Sequence, residues 1–328
     1  MTNQTMVAAV LDRSGDPFRL VEVARPKPQV GEVLVRVHAS AVNPLDLKIY
    51  AGEAAHARQP LPAILGIDMA GVVEDVGPGV TTFRPGDEVY GMTGGVGGLQ
   101  GSLAQFAAVD ARLLAIKPAN LSLRDAAALP LTFITAWEGL VDRAAVRAGQ
   151  TVLVLGAGGV GSIVIQIARA MGAEVFAVDS EDKARVIESL GARAIDRTEP
   201  VETYVARHAN GHGFEVVYDT VGGAALDAAF QAVGRFRHVV SCLGWGTHAL
   251  APLSLRAATY SGVFTLLPML TGEGRAHHGE ILAEATRLAV SGKVAPRVDP
   301  HRFGLGDIAD AYEALRTKTA KGKIVIEV

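Results

Sequence analysis

The run TVLVLGAGGVG at residues 151–161 constrains this chain more than any other stretch, because apolar and β-branched residues lead through spaced glycines into a helical segment. Thr151 to Leu155 reads as a buried strand and Ile163 to Ala170 as an apolar helix. Gly156 permits the tight turn, Gly158 lets the backbone come close to a phosphate, and Gly161 lets the helix pack against the strand. The first-turn N–H groups of Gly159 and Val160 then face an anion, as a helix N-terminus favours. A second strand-like run, EVFAVD at 174–179, ends in Asp179, near the offset of the acid that bonds a ribose hydroxyl. The pattern predicts a dinucleotide-binding unit.

The 328 residues exceed what a single hydrophobic core usually holds, so two domains are expected. With 34 acidic and 31 basic residues and no cluster of Lys and Arg, the chain has no electrostatic reason to seek nucleic acid or an anionic membrane. A lone cysteine, Cys242, excludes an internal disulfide framework and a multi-cysteine zinc lobe, and suits a reducing cytoplasm. Set within VVSCL, Cys242 reads as a small core hydrophobe rather than a nucleophile. The N-terminus shows no secretory signal, and the uncharged stretch 151–168 contains glycines in a strand-turn-helix pattern rather than a membrane span. A cytoplasmic protein is expected.

Residues 1 to about 120 carry short β-like runs at 31–38, 70–76 and 87–90, punctuated by Pro-Gly turns at 78–79 and 85–86, which suggests an antiparallel or barrel-like β-domain. From Leu121 helix follows, then strands predicted at 151–156, 174–179, 192–196, 214–219, 237–243 and 261–266. Six strands with intervening helices describe a complete doubly wound parallel sheet. Helices are predicted at 278–290 and 306–315, with His277 and His278 at a solvated helix start. The final run KIVIEV, 323–328, needs a sheet to join; with the six-stranded sheet full, it is expected to return to the N-terminal β-domain. The domains are therefore drawn at 1–122 with 267–328, and at 123–266. The glycine-rich segment 94–101 reads as a mobile surface loop able to close over a ligand.

Several ordered stretches resemble the medium-chain dehydrogenase/reductase family, in its zinc-independent quinone oxidoreductase branch, which includes zeta-crystallin. They are NPLD at 43–46, LGIDMAGVV at 65–73 with GDEV at 86–89, Leu129-Pro130 with Thr135-Ala136, the glycine loop, YDTVGG at 218–223 and GKIV at 322–325. The likeness covers essentially the whole chain. It implies an α/β fold with a GroES-like β-rich catalytic domain split around a Rossmann doubly wound parallel sheet, which agrees with the discontinuous domain read from the terminal strand. It also implies a ligand cleft between the domains at the carboxyl ends of the strands, and a homodimer paired through edge strands near Ser261 to Leu266.

Zinc alcohol dehydrogenases place a Cys in the first of these regions and a Gly-His-Glu motif in the second. Here Asn43-Pro44 and Gly66-Ile67-Asp68 stand there, and His38 is a lone histidine on an alternating strand, so no metal is expected. Without a metal, alcohol oxidation lacks its Lewis acid, whereas a quinone or α,β-unsaturated carbonyl is already electrophilic and needs only hydride, hydrogen-bond stabilisation and a proton. The resemblance so implies NAD(P)H-dependent reduction of a small apolar quinone or α,β-unsaturated carbonyl. Asn43 is the candidate donor to the substrate oxygen, Asp46 the residue that orients it and Tyr50 a candidate proton donor. Asn-Pro with a nearby Asp is equally a common turn, and Tyr50 equally a half-buried structural ring, so both alternatives stay open.

Carried over position by position, Thr135 lies beside the nicotinamide and Leu243-Gly244-Trp245 face its carboxamide. Asp179 would repel a 2′-phosphate and hold a free ribose diol, while Ser180, Lys183 and Arg197 would favour the phosphate; the carboxylate's charge tips the expectation to NADH over NADPH. Two rival readings are a nucleotide-binding protein with a structural or sensing role and little turnover, and a zinc-dependent alcohol dehydrogenase.

Overall fold

The structure, a computed structural model, describes residues 4–328. The chain divides into two compact units, one comprising everything up to Leu131 together with Leu266–Val328, the other Thr132–Thr265. The first unit opens with β1 (Thr5–Leu11), β2 (Arg19–Ala24), β3 (Glu32–Ala41), β4 (Ala63–Ile64), β5 (Asp68–Val76), β6 (Glu88–Met92), β7 (Phe106–Asp110) and β8 (Leu114–Ile116). β1 pairs antiparallel with β2 and β4 in one small sheet. In the larger sheet β3 lies antiparallel to β5 and β7, β5 to β6, and β6 to β8. Along β3, Val33, Val35, Val37 and Ala39 are buried while Arg36 and His38 are exposed, the alternation of a sheet with one face on a core.

The second unit holds β9 (Thr151–Leu155), β10 (Glu174–Asp179), β11 (Arg193–Asp196), β12 (Phe214–Asp219), β13 (Val233–Ser241) and β14 (Thr259–Gly262). They form one parallel sheet in the order β11-β10-β9-β12-β13-β14, which reverses direction between β9 and β12. Leu153, Phe176, Phe214, Val217 and Phe230 fill the core on one side of that sheet. The chain then returns to the first unit, where β15 (Phe303–Gly304) pairs with β16 (Val325–Glu327) and β16 lies antiparallel to β3, Val325 opposite Ala41. The apolar terminal run thus finds its sheet in the β-rich unit, as expected.

Several local expectations differ from the structure, each for a packing reason. β13 starts at Val233 rather than 237, and between the pairs Phe214–Val233 and Val216–His238 its extra residues bulge outward with Phe236 at φ 58. The last strand is Thr259–Gly262 rather than 261–266, because Val263, Thr265 and Leu266 turn inward and are buried. Helix Arg275–Val290 begins earlier than the predicted 278, which sets His278 on the same face as Ile281, Leu282 and Ala285 and buries it; only His277 stays solvated, against Glu280. The helix expected at 306–315 runs from Ile308 to Arg316. Nor is 94–101 a loose loop. Gly94, Gly95 and Val96 are buried, and the N–H groups of Gly95, Gly97 and Gly98 are bonded to Leu99, Ala57 and Gln59. A Cβ at Gly94 would meet the Gln100 carbonyl oxygen at 1.7 Å, so that glycine serves close packing rather than mobility.

Candidate active site

The three glycines of the loop after β9 answer to different demands. Gly156 has φ 89, and a Cβ there would lie 2.6 Å from Val221. At Gly161 a Cβ would lie 1.8 Å from the Gly156 carbonyl oxygen, so helix Gly159–Ala170 can leave the strand only with glycine at that position. Gly158 is unlike both: its φ is −77, and a Cβ would meet nothing within 4 Å. The fold does not require glycine there. The bare backbone leaves a cradle in front of the helix N-terminus that a Cβ would partly fill, which fits the pyrophosphate of NAD(P)H.

At the end of β10 the Asp179 carboxylate accepts the Ala157 N–H at 2.6 Å and the Ser180 N–H at 2.7 Å, so it braces the loop from the side where a ribose would lie. Ser180 also donates its hydroxyl to Asp179 at 3.2 Å. Arg197 is exposed, with its N–H on the Asp179 carbonyl, and Lys183 is half-buried in the turn Glu181–Lys183. Both cations lower the pKa of Asp182, behind its hydrogen bond with Ser180, so their charges reach the turn that follows Ser180.

Thr135 lies within helix Pro130–Trp137, which passes directly into a π-helical turn, Glu138–Arg143. Its carbonyl accepts the Tyr218 hydroxyl at 2.6 Å and its own hydroxyl meets that of Thr265 at 3.0 Å, with Tyr218 wholly buried. Gly139 makes room for this: a Cβ there would lie 2.2 Å from the Tyr218 ring. Asp219 was missed in the sequence as anything but part of YDTVGG, yet its buried carboxylate accepts the N–H groups of Val221 and Gly222 at 3.0 Å and the Ser241 hydroxyl at 2.7 Å. Ser241 in turn accepts the Leu243 N–H at 3.0 Å, which fixes the start of Leu243-Gly244-Trp245. Gly244 and Trp245 are exposed beyond it. Cys242 is half-buried rather than in the core, and burial pushes its thiol up to about 12, which suits a poor nucleophile.

The β-rich unit gathers a second group of polar residues. Asn43, immediately before helix Pro44–Tyr50, is wholly buried, and so are Asp46 and Asp68. The Asn43 side-chain amide donates to Asp68 Oδ2 at 3.0 Å and accepts from the Lys323 ammonium, which lies 3.7 Å from the same carboxylate. Asp68 Oδ1 accepts the Leu131 N–H at 2.9 Å. Asp46 accepts the Asn43 backbone N–H at 2.8 Å, as a helix-capping carboxylate does, and the Asn43 side chain also acts to lower its pKa. Burial lifts Asp46 to about 7 and Asp68 to about 6, and lowers Lys323, whose charge Asp68 and Asp46 help to retain. Tyr50 is not part of this group. Its hydroxyl donates to the Gly15 carbonyl at 3.0 Å and its ring stacks on Phe18 at 5.5 Å, which supports the structural reading of that residue.

Neither Asp68 nor Lys323 stood out among the candidate residues, although both lie in stretches that carry the family resemblance. Nothing in one sequence pairs positions as distant as Asn43 and Lys323, 280 residues apart. The cluster does not fit zinc. Asn43 offers an amide, Ile67 no donor, and Asp68 already faces an ammonium that would repel a second cation. Among the described residues no group of three His, Cys, Asp or Glu is placed to hold a metal.

Two results are expected. Gly158→Ala leaves the urea midpoint unchanged and weakens NAD(P)H binding about tenfold, roughly 1.4 kcal/mol, whereas Gly161→Ala lowers the midpoint; equal destabilisation by both would contradict the division of labour. Asp46 titrates near 7 in the folded chain against about 4 unfolded, so the folded state binds the proton more tightly and stability falls as pH rises between those values. Asp46→Asn lacks that slope while its amide oxygen can still accept the Asn43 N–H. In urea denaturation the variant therefore gains on the unaltered chain between pH 5 and pH 8, and a constant difference would refute the assignment.

Comparison with known proteins identifies the family. Residues 29–119 match the alcohol dehydrogenase GroES-like domain, 190–326 the zinc-binding dehydrogenase domain and 140–223 the C-terminal domain of alanine dehydrogenase/PNT. The chain is 38% identical to 2-methylene-furan-3-one reductase of Solanum lycopersicum, over 93% of this chain and 74% of that protein. It is also 38% identical to the chloroplastic NADPH-dependent alkenal/one oxidoreductase of Arabidopsis thaliana, over 92% and 73%. A crystal structure of an alcohol dehydrogenase superfamily protein from Novosphingobium aromaticivorans superposes with a TM-score of 0.97 at 59% identity, covering 99% of this chain and all of that one. The chain belongs to the medium-chain dehydrogenase/reductase family, in its branch of quinone and enone reductases.

Proposed function

We propose that the chain reduces α,β-unsaturated carbonyls or quinones with NAD(P)H and without zinc. The observation that carries this reading is the Asn43 amide. Its Nδ2 has two N–H groups, of which the bond to Asp68 at 3.0 Å uses one. A buried donor left over in this way has a cost unless something accepts from it, and a substrate oxygen gaining negative charge is the acceptor it suits best. When bound, the reduced nicotinamide supplies a hydride to the electrophilic carbon conjugated with that oxygen. Asn43 then holds the oxygen as its charge grows, and Asp46 keeps the Asn43 backbone in register at the head of its helix. Thr135, fixed by Tyr218 and Thr265, and Leu243 to Trp245, fixed through Asp219, are assigned to the nicotinamide end. The names of the tomato and Arabidopsis relatives support the same substrate class.

For the nucleotide we infer NADH, because Asp179 ends the second strand near the offset of a ribose-binding acid and its carboxylate would repel a 2′-phosphate. Lys183 and Arg197 favour the opposite choice, which is the cofactor named for the Arabidopsis relative. A homodimer is the assembly we propose. β14 ends the parallel sheet with one edge unpaired among the described residues, and Phe236, Leu255 and Tyr260 are exposed by 81%, 83% and 37% in the same unit. Among the described residues no helix is long and apolar enough to cross a membrane, and we place the chain in the cytoplasm on the strength of its single cysteine.

Light scattering on the purified chain is expected to give twice the chain mass; a monomer at micromolar concentration would overturn the dimer. In fluorescence titration NADH is expected to bind more tightly than NADPH, with Asp179→Ser moving the ratio about tenfold toward NADPH. Adding but-3-en-2-one or 1,4-benzoquinone to the bound nucleotide should then oxidise it. Binding without oxidation by any enone or quinone would favour the non-catalytic rival, and tighter NADPH binding in the unaltered chain would assign the corner to Lys183 and Arg197.

A further inference from the structure

We propose that Lys323 is the positioning residue for the substrate's oxygen, its ammonium turning and polarising the Asn43 amide. The inference rests on the functional reading given above for Asn43. Its geometry is confined to the β-rich unit.

The amide of Asn43 lies between opposite charges. Lys323 can only donate and an ionised Asp68 can only accept, so the Asn43 oxygen must face Lys323 and its NH₂ must face Asp68. Turning the amide over would set N–H groups against an ammonium and an oxygen against a carboxylate. The orientation is therefore set by both charges at once, and it leaves the second N–H of Nδ2 directed away from Asp68. A cation bonded to the amide oxygen draws electrons from the nitrogen, which makes that N–H a stronger donor to an oxygen that is becoming negative. No proton need leave Asn43 or Lys323 in this scheme.

The surroundings are built to keep the charge in place. The Lys323 side chain is only 11% exposed and Asp68 is wholly buried, so their field acts with little screening by water. Lys323 is held by the chain on both sides: its N–H bonds the Arg297 carbonyl, and the carbonyl of Ile324 accepts the N–H of Val42, next to Asn43. Ile67, where a zinc enzyme's motif has its histidine, offers no competing donor or ligand. The ammonium thus bridges the two regions from which a metal would take ligands, Asn43 in one and Asp68 in the other.

The test compares the unaltered chain with Lys323→Met, Lys323→Arg and the double variant Asp68→Asn/Lys323→Met, which buries neither charge and so guards against misfolding of the single variant. Urea midpoints and nucleotide affinity establish that each variant is folded and loaded. Lys323→Met and the double variant are expected to lose about 100-fold in kcat with but-3-en-2-one, less with the more electrophilic 1,4-benzoquinone, and Lys323→Arg to recover part of the loss. A purely structural lysine would not divide its effect by the reactivity of the acceptor. Independently of turnover, binding of 4-nitrophenolate, whose oxygen imitates the anion, is read from its visible absorption and should weaken at least tenfold without Lys323. A double variant within twofold of the unaltered chain in kcat with the enone and in nitrophenolate affinity would overturn the role of Lys323 and leave the reductase reading standing. An unaltered chain that oxidises nicotinamide with neither acceptor would instead remove the reductase reading, and the nitrophenolate measurement would still decide whether Lys323 strengthens an anion site.

Discussion

A buried ammonium facing a buried carboxylate across an amide is the interaction on which the centre of the β-rich unit depends. Lys323 comes from the segment just before the last strand, Asp68 from the first residue of β5, and Asn43 from the turn into helix Pro44–Tyr50. Each charge alone would be costly to bury, and removing one partner of such a pair commonly costs about 3–5 kcal/mol because the other is left uncompensated. The pairing therefore does more than join three segments. It obliges the C-terminal run to return to the N-terminal sheet in one register, Val325 against Ala41, and it holds an amide in one orientation.

The Rossmann unit follows another logic, in which absence of side chains is the device. Gly156 and Gly161 are demanded by neighbouring protein atoms, whereas Gly158 is demanded by none. Its place at the N-terminus of a helix, where backbone N–H groups favour an anion, is what suits a pyrophosphate there. Asp179 braces the same loop through the Ala157 N–H, so the residue that would choose between nucleotides also shapes the cradle that holds them. Its replacement should therefore alter affinity for both nucleotides as well as their ratio.

What could be read from the sequence was what local pattern encodes. The glycine loop, the alternating strands and helices, and the need of KIVIEV for a sheet led to the parallel sheet and to the pairing of the terminal run with the β-rich sheet. Local pattern failed where long-range packing decided. Gly234 is the one local hint of the bulge at Phe236, the apolar residues Val263 and Leu266 suit an edge strand as well as a core, and His278 becomes a core residue only once the helix begins at Arg275. The same limit governs the site: Asn43 was legible beside Pro44 and Asp46, but the charges that hold its side-chain amide lie 25 and 280 residues away. Tyr50, in the same helix as Asp46, is occupied by Gly15 and Phe18 instead.

Conjugate reduction by direct hydride transfer is the central claim, and the fate of one deuterium tests it most directly. The chain would be given nicotinamide nucleotide deuterated at C4, on either face, together with an α,β-unsaturated ketone in ordinary water, and the product examined by NMR. The claim predicts that deuterium from one face appears at the carbon β to the carbonyl, with a solvent proton at the α carbon and the carbonyl intact. Deuterium on a carbinol carbon would reveal an alcohol dehydrogenase, and deuterium in neither place would show that the bound nucleotide is not the hydride source.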